Sequence, residues 1–137
     1  MALDFDRVGR GRRHGVWLLE CDRDLTASVT AALLLYVNET HPDIQNLLAS
    51  PSDPAARALA DFISSDVTRQ LILRAIQHDE LEDGHDYGEG TLGDLFLTLL
   101  RSHLPGRSLD QVRREFQDDP GEIEAELLSY SWRTSLQ

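Results

Sequence analysis

Ala31-Ala32-Leu33-Leu34-Leu35-Tyr36-Val37 is the longest apolar run in this 137-residue sequence, and its reading decides the fold. It is apolar nearly all round, the pattern of a central helix covered by its neighbours. Asp22 or Asp24 upstream can cap such a helix, because a carboxylate accepts from the orphan amides of a first turn. The pattern therefore predicts a helix from Asp24 through Tyr36 to Glu39. Pro42 interrupts it, and Asp43 to Ala49 makes at most two further turns.

Outward from this run the pattern stays helical on the C-terminal side. Ser52-Asp53-Pro54 is a helix start, a capping side chain followed by proline in the first turn. Leu59, Phe62, Ile63, Val67, Leu71, Ala75 and Ile76 then recur at three- and four-residue spacing, one apolar stripe over a helix reaching about Asp79. Ser64-Ser65-Asp66 does not change its phase. Residues 78–90, HDELEDGHDYGEG, form an acidic loop. Thr91 to Asp94 resembles a capping box and opens a helix that Pro105-Gly106 ends. Ser108 with Gln111 caps another to about Gln117, and Asp119-Pro120 with Glu122 caps the last, Ile123 to Trp132. On the N-terminal side, Leu3, Phe5 and Val8 alternate with polar residues, Gly9 to Gly15 turns, and Val16-Trp17-Leu18-Leu19 resumes an extended pattern.

The expected fold is mainly α. Five or six helices make an orthogonal or bundle-like single domain over residues 15–137, with a short β-strand or hairpin before it. Residues 1–14 are expected to be a flexible arm or hairpin strand. Leu33, Leu34, Val37, Phe62, Ile63, Val67, Leu71, Phe96 and Leu100 are the expected core, all in one cluster.

Composition narrows the function classes. The chain carries 13 basic residues, all arginine, against 24 acids, a net charge of -11. Aspartates, at 15, outnumber the 9 glutamates. This lysine-free, bacterial-type composition is what GC-rich codon usage would produce, and second to that it suits a salt-rich cytoplasm. Residues 1–23 hold five arginines against four acids, a net +1; the remainder holds eight against twenty, a net −12. Such a body repels a phosphate backbone, so nucleic acid is not its expected partner. No apolar run approaches the roughly 20 residues a bilayer span needs, and no basic-then-apolar leader is visible at Met1. The lone Cys21 allows no disulfide within the sequence and suits a reducing compartment, so the expected location is cytoplasmic.

Catalytic residue types are dense only in the acidic loop. His78 and Glu82, four apart, would share a helix face, and Gly84 could swing His85 or Asp86 inward as further ligands for Zn, Mn or Mg. His14, His41 and His103 stand singly, so no second cluster completes the set. A calcium-loop register from Asp79 puts Leu81 at position three and Gly90 at position twelve, where oxygen ligands are required. Gly88-Glu89-Gly90-Thr91-Leu92-Gly93 matches G-x-G-x-x-G, yet carboxylates rather than a buried strand precede it. No catalytic or cofactor-binding set is complete, and no cofactor is implied.

The leading expectation is a non-enzymatic protein–protein interaction or assembly module, acting as a homo-oligomer or in a complex. Val16, Trp17, Leu18 and Leu19 are its expected contact residues: both faces of a strand there are apolar and need cover. Arg10, Arg12 and Arg13 would reach acids on the neighbour. The alternatives are a metal-dependent enzyme using the 78–89 loop and an acidic nucleic-acid mimic that occupies a DNA-binding protein.

Overall fold

The computed structural model describes residues 2–3 and 16–135. The chain is mainly helical with a small sheet near its N-terminus. In order it runs β1 (Ala2–Leu3), β2 (Trp17–Cys21), α1 (Val29–Ala32), β3 (Leu33–Asn38), α2 (Pro42–Ala49), α3 (Pro54–Gln77), α4 (Leu92–His103), α5 (Leu109–Asp118) and α6 (Pro120–Ser135). The described residues form two compact units, 2–3 and 16–22 with 30–66, and 23–29 with 67–135. Helix α3 supplies its residues up to Asp66 to the first unit and the rest to the second.

The apolar run is the main departure from expectation. Helix occupies only Val29–Ala32, and Leu33–Asn38 is a strand. It pairs antiparallel with β2, Trp17 opposite Val37 and Cys21 opposite Leu33, while β1 runs parallel along its other side. A short apolar run has no periodicity of its own to choose helix or strand; the partner strand chooses. Leu33, Tyr36 and Val37 are β-branched, aromatic or long apolar residues that suit a pleated, partly buried surface. Asp24 does not cap a helix. Its carboxylate accepts from the Thr26 amide at 3.0 Å and the Thr26 hydroxyl at 2.7 Å, closing a turn instead.

Side chains alternate across this ladder. Trp17, Leu19 and Cys21 share one face with Leu33, Leu35 and Val37; Leu18 and Glu20 share the other with Leu34 and Tyr36. Leu19 and Tyr36 are buried. On the second face the Tyr36 hydroxyl donates to Glu20 Oε2 at 3.3 Å. The other buried apolar side chains of this unit include Ala32, Ile44, Ala56 and Ile63.

The helical expectations downstream of Pro42 hold. Proline opens α2 and α3, and α3 runs unbroken past Ser64-Ser65-Asp66. Thr91 and Ser108 cap α4 and α5 through their hydroxyls, taking the amides of Asp94 and Gln111. In the second unit Leu71, Ile72, Ala75, Ile76, Phe96, Leu100, Val112, Ile123 and Leu127 are buried. The half-buried Arg107 guanidinium joins α5 to α6 by donating to Glu115 and Glu126. The Glu115 bond, aided by Glu126 and opposed by burial, raises the arginine's pKa above its ordinary value.

Two expected core residues are corrected. Leu34, opposite Glu20 in the ladder, is 38% exposed although Tyr36 on the same face is buried, and Phe62 is 63% exposed. Leu33, Val37 and Val67 are half-buried, whereas Ile63, Leu71, Phe96 and Leu100 are buried. Truncation should follow burial: Ile44→Ala and Phe96→Ala each lose about 2 to 5 kcal/mol of stability, measured by chemical denaturation, and Leu34→Ala loses clearly less.

Candidate functional site

The acidic loop is built into the fold through its main chain. His78 follows α3 and is buried. A backbone N–H can only donate, so the 3.1 Å bond from Glu80 makes Nδ1 an acceptor. A carbonyl can only accept, so Nε2 carries the proton and donates to Arg23 O at 2.8 Å. The ring also lies edge-on to Phe96, centroids 6.4 Å apart. Both nitrogens are committed, and a metal would have to displace one of these bonds.

The neighbouring residues are similarly occupied. Arg113 of α5 donates to the carbonyls of Ile76, His78 and Leu81, at 3.2, 2.5 and 3.0 Å, closing the C-terminal end of α3 with a positive charge where the helix dipole favours one. Asp83 accepts from Leu109 N at 3.1 Å and so caps α5. Asp86 takes the Gly88 amide at 2.9 Å. The Tyr87 hydroxyl accepts from Glu82 N at 2.9 Å, and His85 lies against the Tyr87 ring, centroids 4.5 Å apart. Among the described residues no three His, Cys, Asp or Glu side chains gather as a metal requires. His78, Glu82, His85 and Asp86 are near in sequence and are not brought together as ligands.

The glycine-rich match has a structural account. A helix N-terminus can bind an anion only if its first amides are free. Those of α4 are not: Leu92 N donates to Ala27 O and Gly93 N to Leu25 O, both at 2.9 Å, and Asp94 N to the Thr91 hydroxyl. The segment 25–29 closes this end like a strap. Gly88 and Gly90 take positive φ in the turn. Gly93 meets the Tyr87 ring, where an added Cβ would lie 2.4 Å from ring carbon.

The other candidate is the first face of the small sheet. Trp17 is half-buried, its indole N–H donates to Asp66 Oδ2 at 2.8 Å, and its ring meets Phe62 edge-on with centroids 5.7 Å apart. Phe62 and Asp66 stand one turn apart on α3, so both reach the same side. Asp66 fixes the indole, the indole fixes the phenyl, and the phenyl remains in solvent.

No family model, curated protein or solved structure matches the chain.

Of the expected contact residues, Val16, Trp17 and Leu18 are half-buried and Leu19 is buried. Arg10, Arg12 and Arg13 lie outside the described residues. Phe62 and Asp66 were not read as site residues because Phe62 fits the apolar stripe.

Two outcomes test this assignment. His78→Ala removes a buried ring bonded to Glu80 N and Arg23 O and should cost about 1 to 3 kcal/mol in all, read by chemical denaturation, whereas the exposed His85→Ala should change stability by less than about 0.5 kcal/mol. The Thr26 hydroxyl, then the Thr26 amide, hold the Asp24 carboxyl below its ordinary 3.8, with Ala27 adding to them. A depressed folded-state pKa stabilises the turn above that ordinary value and ceases to do so as pH falls through the lower one. The Thr26 amide resonance should therefore titrate with a midpoint below 3.8, and Asp24→Ala should abolish the transition.

Proposed function

We propose that the chain is a non-enzymatic protein–protein interaction or assembly module whose contact surface centres on Phe62 and Trp17. The observation that carries this reading is Phe62, 63% exposed yet held against a hydrogen-bonded indole. Burying a phenylalanine side chain is worth roughly 1.5 to 3 kcal/mol. A preoriented aromatic pair also loses little side-chain freedom on binding. Trp17 thus contributes both as a contact and as the support that orients Phe62.

The occupant of first choice is a second copy of the chain. The sequence pairs a net-positive N-terminal segment, with Arg10, Arg12 and Arg13, with a body of net −12. Two copies can place the first against the second, and such attraction weakens with salt. The acidic loop supports the same reading from the other side, since His78, Asp83 and Asp86 are occupied in holding backbone. No helix among the described residues is long and apolar enough to cross a membrane.

Sedimentation velocity across a wide concentration range tests the proposal, on the wild type and on Phe62→Glu. The expected result is a dimer or larger species that loosens with salt and becomes monomeric in Phe62→Glu with unchanged thermal stability. A wild type that stays monomeric at high concentration and retains no protein partner overturns it.

A further inference from the structure

The acidic loop holds the single aspartate followed by glycine, Asp83-Gly84. Every other aspartate precedes a bulkier residue, and Asp53 and Asp119 precede prolines, which have no N–H. Both Asp83 and Gly84 are exposed. Gly84 has φ +79°, with open space where a Cβ would stand. Among the described residues its N–H has no acceptor. The nitrogen therefore has no side chain beside it, and it lies four bonds from the Asp83 side-chain carboxyl carbon, which can reach it by closing a five-membered ring.

We infer that Asp83-Gly84 is a site of spontaneous covalent isomerisation, in which the main chain comes to run through the aspartate side chain. The Gly84 nitrogen attacks Asp83 Cγ in its carboxylic acid form. A C–N bond forms, and the carboxyl hydroxyl leaves as water with the amide proton, closing a cyclic imide. A second water opens the ring at the main-chain carbonyl and breaks the original peptide C–N bond. The link through Cγ remains and a free α-carboxylate is released. One water leaves and one enters, so the mass is unchanged.

The fold controls this reaction through one bond. Asp83 Oδ2 accepts from Leu109 N, the first amide of α5, at 3.1 Å. The carboxyl must leave that amide before its Cγ can meet Gly84 N, so the reaction waits on opening of the α5 N-terminus. Once it has occurred, the chain gains a methylene, the carboxylate moves to Cα, and Leu109 loses its cap. The product reverts only by closing the same ring again, so it accumulates in molecules whose α5 has opened.

Full-length protein incubated near neutral pH, followed by peptide mapping with electron-transfer fragmentation, tests this, because fragmentation separates the two aspartate linkages at equal mass. The linked form should accumulate at residue 83, more slowly in the native chain than in the denatured one. Ser108→Ala, which removes the hydroxyl cap on Gln111 N, should accelerate it about fivefold in the native state, the population change expected from losing a helix cap. Asp83→Glu, whose ring would be six-membered, should give none. A native chain that stays unconverted after the denatured chain has converted overturns the inference. So does a Ser108→Ala variant, folded by circular dichroism, that converts at the wild-type rate.

Discussion

The antiparallel ladder between Trp17–Cys21 and Leu33–Val37 is the constraint on which the first unit depends. Without it the run from Ala31 to Val37 has every local reason to continue as helix. With it, main-chain groups that a helix would pair internally are paired across to β2. The same pairing fixes which side chains share a face. It sends Trp17 toward Phe62 and Asp66, and it turns Leu34 to the opposite face. A slip of one residue in register would exchange those faces and separate the indole from its aspartate.

In the second unit, main-chain satisfaction governs through side chains. The ends of three helices are closed by groups distant in sequence: Arg113 on Ile76 O of α3 and on the carbonyls of His78 and Leu81 just beyond it, the 25–29 strap on the first amides of α4, and Asp83 on the first amide of α5. His78 ties the strap at Arg23 to the loop at Glu80. Residue types that suggest metal or nucleotide chemistry in the sequence serve here as caps and pins. Density of His and carboxylates along a loop therefore says little about ligands until each lone pair and proton has been traced.

What was legible in the sequence was what local chemistry decides. The starts of α3, α4 and α5 were carried by proline or hydroxyl caps, and these act within four residues of themselves. The strand at 17–21 announced itself by a cluster of bulky apolar residues flanked by glycine. The strand at 33–38 did not, because its identity depends on a partner more than ten residues away. Phe62 was illegible for a related reason: spacing placed it in the apolar stripe, and only the position of Trp17 shows that it stands at the stripe's wet margin. The roles of His78 and Asp83 depend on Arg23 and Leu109, contacts no spacing rule supplies.

The central claim is that the Trp17–Phe62 face meets other protein while the 78–90 loop serves the fold. Amide hydrogen exchange, compared between dilute and concentrated protein, addresses both halves at once. The account predicts added protection over residues 16–21 and 59–66 at high concentration, with residues 78–90 unchanged. Protection confined to residues 78–90, with residues 16–21 and 59–66 unaltered, would contradict it.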